Sequence, residues 1–70
     1  MSTGQSIERL YKAIEKVAGP VEAKNSVSDV VFISISRLQD AGIQVTEESI
    51  NEYISKFADD FIEASKSEVA

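Results

Sequence analysis

The 70-residue sequence contains no cysteine and no histidine. Their absence excludes disulfide scaffolds, zinc fingers and iron–sulfur clusters, together with thiol nucleophiles and every mechanism that uses imidazole as a base or ligand. Glycine and proline are scarce, with three residues and one residue, so the composition fits neither a linker nor a collagen-like chain. We therefore expect a folded binding protein with no catalytic residues, no cofactor and no metal.

Long hydrophobic runs are also absent. The longest uninterrupted apolar run is Val30-Val31-Phe32-Ile33, which is far shorter than the roughly 20 residues that a membrane-spanning helix needs. Residues 1–6 contain no basic region followed by an apolar stretch, so we expect no secretory signal. These observations predict a cytoplasmic protein that does not bind membranes.

Positive charge is outnumbered, with seven basic residues against twelve acidic ones and a net charge of -5. Residues 1–46 hold five acids and five bases, so the acidic excess lies in residues 47–70, where seven acids accompany two lysines. Direct binding to nucleic acid needs clustered Lys or Arg. No such cluster is evident in the sequence, so we expect no direct nucleic-acid binding.

Three short helices offer little cleft, so no small-molecule substrate is expected either.

A first helix is predicted over residues of about 6–18, because apolar residues recur there with a 3.6-residue period. Ser6 stands where it would cap the start of this helix, and Gly19-Pro20 stands where the helix should stop. The apolar stripe consists of Ile7, Leu10, Tyr11, Ile14, Val17 and Ala18.

A second helix is predicted over about 27–41, after a short connection at residues 20–25 and a capping box that starts at Ser26. Gly42 stands where a left-handed helix cap is expected. Residues 30–36 are rich in β-branched side chains, so a strand is the alternative for this segment. The core face of the helix would carry Val27, Val30, Val31, Ile35, Leu38 and Ala41.

A third helix is predicted over about 47–66, with Thr46 as its cap. Phe57 lies at the centre of its apolar arc, which consists of Ile50, Tyr53, Ile54, Phe57, Phe61 and Ala64. The opposite side carries Glu48, Glu52, Asp59 and Glu63. Because the connections between the three helices are short, the predicted fold is all-α, a small three-helix bundle formed by one domain.

Phe32 and Ile33 fall outside the core face of the second helix, among polar residues such as Asp29 and Asp40. One interpretation is that the second helix is the central, sandwiched helix of a monomer. The other is that these two side chains meet a second copy of the chain or another protein, because a contiguous exposed apolar patch usually marks an interface. The sequence leaves both interpretations open.

We expect a small acidic protein-binding module, such as a regulator, inhibitor or adaptor, rather than an enzyme. One alternative is a structural subunit that self-assembles through the second helix. A second alternative is a mimic of nucleic acid, in which the acidic stripe occupies a basic groove, although a solvated helix face explains that stripe equally well. The candidate partner-binding residues are Phe32, Ile33, Ile62, Glu48, Glu52, Asp59 and Glu63.

One stretch resembles a known junction. Residues 38–50 are similar to a helix–Gly-Ile-x-Val–helix junction found in many bacterial and phage proteins, including the soluble ends of some phage holins. The resemblance implies a turn between two helices, and small phage accessory proteins belong among the expected binding modules. The Asp-Ser-Leu attachment signature of acyl carrier proteins is absent, because Ser28-Asp29-Val30 has the reverse order. The sequence assigns no family.

Overall fold

The computed structural model describes the backbone of residues 3–69 and the side chains of residues 4–66. Within that range the chain forms three α-helices and no strand: α1 (Thr3–Ala18), α2 (Pro20–Asp40) and α3 (Glu47–Val69). The helices pack against one another, which confirms the predicted all-α three-helix bundle and decides residues 30–36 in favour of helix.

The start of α2 differs from the prediction. The helix begins at Pro20, so residues 20–25 are helical rather than a connection, and Ser26 is an interior residue rather than a cap. Gly19 alone separates α1 from α2, with a φ of 89°, a conformation that favours glycine. Proline suits the first position of a helix because its missing N–H has no intrahelical partner there. Pro20 therefore starts the second helix as well as ending the first.

The predicted cap at Ser6 is also wrong. Helix α1 already begins at Thr3, and Ser6 is a fully buried residue inside it. The Ser6 hydroxyl donates a hydrogen bond to the Asn51 side-chain oxygen of α3. A short polar side chain near a helix start often caps that helix. The Ser6 side chain instead binds a residue of another helix.

The end of α2 confirms the predicted glycine cap. Gly42 has a φ of 74°. Its backbone N–H donates to the carbonyl of Gln39 at 3.0 Å, and the N–H of Ile43 donates to the carbonyl of Leu38 at 2.9 Å. This pair of bonds is the Schellman motif, which satisfies helix carbonyls that otherwise lack partners.

The start of α3 confirms Thr46 as a cap. The N–H of Ser49 donates to the Thr46 hydroxyl oxygen at 3.1 Å, and the N–H of Thr46 donates to the Ser49 hydroxyl oxygen at 2.9 Å. This reciprocal arrangement is a capping box with serine in the place of the usual Glu or Gln. The end of α3 lies at Val69, beyond the predicted end at residue 66.

Helix α1 is the shared helix of the bundle. It packs extensively against both α2 and α3, whereas α2 and α3 touch each other less. Leu10 and Ile14 of α1 are buried, and they form one core cluster with Val30 of α2 and Ile54 of α3. The interpretation that the second helix is the sandwiched centre is therefore wrong, and its outer face has no neighbour among the described residues.

The helices meet over small side chains. Ser6 in α1, Ala23 and Ser34 in α2, and Ala58 in α3 are all completely buried. The Ser34 hydroxyl donates to the Val30 carbonyl one turn earlier at 2.6 Å, so this polar group is satisfied inside its own helix. Small residues at a helix contact allow a short interaxial distance, and the bundle uses them on every helix.

The apolar arc of α3 is rotated from its predicted position. Ile54 and Ala58 are fully buried, whereas Phe57 is 39% exposed and the predicted core residue Ala64 is exposed. At about 100° per residue, the midpoint between Ile54 and Ala58 lies roughly 80° from Phe57, the predicted centre. Ile54 and Ala58 both belong to the core cluster, so a small residue shares the buried centre of α3. On α2, the predicted core residue Ala41 is exposed as well.

The stability of the core should depend on Ile54 more than on Phe57. Ile54→Ala should lower the free energy of unfolding by about 2–5 kcal/mol, the range for large-to-small changes at buried aliphatic residues. Phe57→Ala should cost clearly less, because this ring is already partly hydrated. Urea unfolding followed by circular dichroism measures both variants, and an equal or larger loss for Phe57→Ala would contradict the assignment of the core.

The bond between Ser6 and Asn51 should contribute measurably to stability. Ser6→Ala should lower the free energy of unfolding by about 1 kcal/mol, the usual net value of one hydrogen bond. Ser28→Ala is the matched control, because Ser28 is exposed and donates only to the Lys24 carbonyl of its own helix, at 3.2 Å. Urea unfolding measures both variants. Equal decreases in the free energy of unfolding would argue against a stabilising bond between Ser6 and Asn51.

Candidate interaction surface

The outer face of α2 carries the most exposed aromatic side chain among the described residues. Phe32 is 76% exposed and Ile33 is 44% exposed, which confirms that both point away from the core. Ser28, Asp29 and Ser36 lie within one turn of them and are exposed as well. The result is an apolar pair bordered by small and acidic side chains.

Val21 extends this apolar surface toward the start of α2. It is 72% exposed, and it lies about three turns before Phe32, which places both on the same side of the helix about 16 Å apart. Val21 is absent from the predicted surface because residues 20–25 are predicted as a connection. Recognising Pro20 as the first helical residue would have put Val21 on this face. We call Val21, Phe32 and Ile33 the α2 surface.

The four predicted acidic residues lie along the exposed side of α3. Glu48, Glu52, Asp59 and Glu63 are all exposed, as expected. Asp59 forms a salt bridge with Arg9 of α1, so its charge is balanced within the bundle. Such a pair reduces the net negative charge that this part of the stripe presents to a basic partner.

Ile62 lies apart from the α2 surface. It is half-buried and lines an open groove of about 550 Å³ between α1 and α3, together with the apolar residues Ala13, Val17 and Phe61. No residue of α2 lines this groove. The candidate residues therefore occupy three places: the outer face of α2, the groove, and the acidic side of α3.

The groove also gathers basic residues, which the sequence analysis did not foresee. Four of the seven Lys and Arg residues of the chain line it, and none of the acidic residues between positions 4 and 66 does. The expectation of no direct nucleic-acid binding, which rests on the lack of a basic cluster along the sequence, stays a prediction. The spacing of the three basic residues on α1 already indicates that they share one side of that helix. Lys66 of α3 joins them only through the packing of α3 on α1. The four residues are Arg9, Lys12, Lys16 and Lys66.

No family model, curated protein or solved structure matches this chain. Between residues 3 and 69, no helix is both long and apolar enough to cross a membrane. In the same part of the chain, acidic side chains do not converge in a group of three or more that would hold a metal ion. Any functional assignment must therefore rest on the surfaces described above.

Tyr11 of α1 has a raised pKa. Loss of hydration raises the pKa of its phenol, and the Glu15 carboxylate raises it further by repelling the phenolate and accepting the phenol hydrogen bond. Both effects favour the neutral phenol. Tyr11 packs against the core cluster, so we assign it a structural role.

Reversing charge on the acidic side of α3 should leave the fold intact. Glu52→Lys combined with Glu63→Lys changes two exposed residues, and single exposed charges contribute about 0–1 kcal/mol to stability. Thermal melting followed by circular dichroism should show a nearly unchanged midpoint. A large decrease in the midpoint would show that these carboxylates support the bundle, in contrast to the assignment made from their exposure.

Proposed function

We propose that this protein is a small non-enzymatic binding module that recognises another protein through the α2 surface. The observation that carries this proposal is the exposure of Phe32 beside Ile33 on a helix whose outer face has no neighbour among the described residues. A contiguous exposed apolar patch on a small domain is typical of an interface. Regulators, inhibitors and adaptors all work in this way.

The energetics support an interface centred on Phe32. Burying a Phe or Ile side chain fully is worth about 1.5–3 kcal/mol by area. Aromatic residues dominate binding energies when a partner encloses them. Asp29 and Asp40 border the α2 surface and are exposed, so they would form an acidic rim around the apolar contact. This combination favours a partner that offers an apolar pocket with basic edges.

Self-assembly through α2 is the second candidate function. Ser28 and Ser36 flank Phe32 one turn away on either side and are exposed. Small side chains beside an aromatic one would let a second α2 helix approach closely. A homo-oligomer built in this way would cover the same α2 surface, so the two candidates differ in the identity of the partner rather than in the residues used.

The acidic mimic is the weaker alternative, because Asp59 is already paired with Arg9. If a basic partner bound the α3 stripe, the combination of Glu52→Lys and Glu63→Lys would abolish that binding and leave the fold intact. Cytoplasmic location and the absence of nucleic-acid, membrane and small-molecule ligands remain predictions from the sequence.

Replacing Phe32 and Ile33 together by Ser should preserve helical circular dichroism and abolish binding to the partner or to a second copy. Ile43→Ser is the matched control, because Ile43 is 51% exposed and lies in the connection between α2 and α3, away from the α2 surface. Light scattering of the wild-type protein distinguishes self-assembly from a monomer that binds another protein.

Two results would contradict the proposal. If the double variant unfolds while Ile43→Ser does not, the α2 surface contributes to the monomer fold. If the double variant keeps all association of the wild-type protein, the interface lies elsewhere.

A further inference from the structure

The groove between α1 and α3 has an apolar floor and a basic border. Its floor consists of Ala13, Val17, Phe61 and Ile62. Four of the seven basic residues of the chain line it, although the whole chain has a net charge of -5. Arg9 and Lys12 already pair with Asp59 and Glu8, so Lys16 and Lys66 supply most of the positive charge that would favour a negative ligand by charge complementarity.

The groove lies between two helices that run in the same direction. The hydrogen bond from Ser6 to Asn51 and the salt bridge from Arg9 to Asp59 show that α1 and α3 run in parallel. Helix α2 packs against both of them, whereas the groove is lined by α1 and α3 alone. From Arg9 to Val17 the α1 wall extends about 12 Å, or roughly two helical turns. A further helix laid along the groove would meet both walls.

We propose that this groove binds an acidic amphipathic helix of a partner protein. The apolar side of that helix would cover Val17, Phe61 and Ile62, and its carboxylates would meet Lys12, Lys16 and Lys66. An amphipathic helix in a hydrophobic groove is a common mode of peptide recognition. This site lies on a different face from the α2 surface, so the proposal stands independently of the proposed function.

The basic residues differ in their availability. Arg9 is paired with Asp59 of α3, so it adds little net positive charge to the groove. Lys12 pairs with Glu8 one turn earlier at 3.0 Å, but both side chains are largely exposed. Exposed pairs of this kind are weak and exchange readily. Lys12 is therefore available to a ligand carboxylate, together with Lys16 and Lys66.

The test uses a fluorescent synthetic helix of about 15 residues, a length at which an isolated helix becomes stable enough to bind. Its Leu residues follow helical spacing on one face and Glu residues occupy the other. A scrambled peptide of the same composition, without the apolar face, is the peptide control. Fluorescence anisotropy should show saturable binding of the amphipathic peptide that weakens with salt. NMR amide shifts should map to residues 9–17 and 61–66.

The variants are matched in charge. Replacing Lys12, Lys16 and Lys66 by Gln should weaken peptide binding by about tenfold or more, because three charge pairs are lost. Replacing Lys24, Arg37 and Lys56 by Gln changes the net charge equally but leaves the groove lining intact, so binding should change far less. The Phe32→Ser and Ile33→Ser double variant should bind the peptide normally, which separates this proposal from the proposed function.

Several outcomes would overturn the proposal. Equal losses in the two Gln variants would show a general charge effect, and equal binding of the scrambled peptide would show that the apolar floor is not used. Tighter binding of a single-stranded oligonucleotide or of anionic lipid vesicles would identify a different class of ligand. If the groove variant dissociated a homo-oligomer of the wild-type protein, the occupant would be a second copy of the chain.

Discussion

The burial of small side chains on all three helices is the constraint on which the rest of this structure depends. Ser6, Ala23, Ser34 and Ala58 are completely buried at the contacts. A chain of this size has only a small core. Phe32 lies outside it, because Val30, Ser34 and Leu38 form the buried side of this part of α2. The exposed apolar surfaces are a consequence of the packing as much as of the sequence.

The sequence predicted the elements whose signals are local. The helical period of α1, the Gly42 cap and the Thr46 cap each depend on residues within one or two turns, and all three are confirmed. Two residues of the predicted α1 stripe, Val17 and Ala18, are nevertheless exposed. The predicted start of α2 was wrong because a proline can either end one helix or begin the next. The prediction used Pro20 only as the end of the first helix. The side chain of Ser6 suits a cap equally well, and only the packing of α3 gives it a different partner.

The candidate surfaces were predictable to different degrees. The outward direction of Phe32 and Ile33 followed from helical geometry once the segment was taken as helix, and their exposure agrees with it. The rotation of α3 about its axis did not follow, because a helical wheel weights large side chains and overlooks small buried residues such as Ala58. The basic groove was hidden for a related reason: it depends on which side of α1 faces Lys66, which is a tertiary property.

The two apolar surfaces also bear on how stable the free protein is. Leu10 and Ile14 of α1 hold both other helices, so the inner face of α1 is fully used while its outer face carries the groove. A ligand that binds only the folded state adds stability by mass action, about 2.7 kcal/mol at a hundredfold excess over Kd. Covering Val17 and Phe61 in the groove would extend the core across α1. Binding of the proposed helix would therefore link recognition to folding through α1.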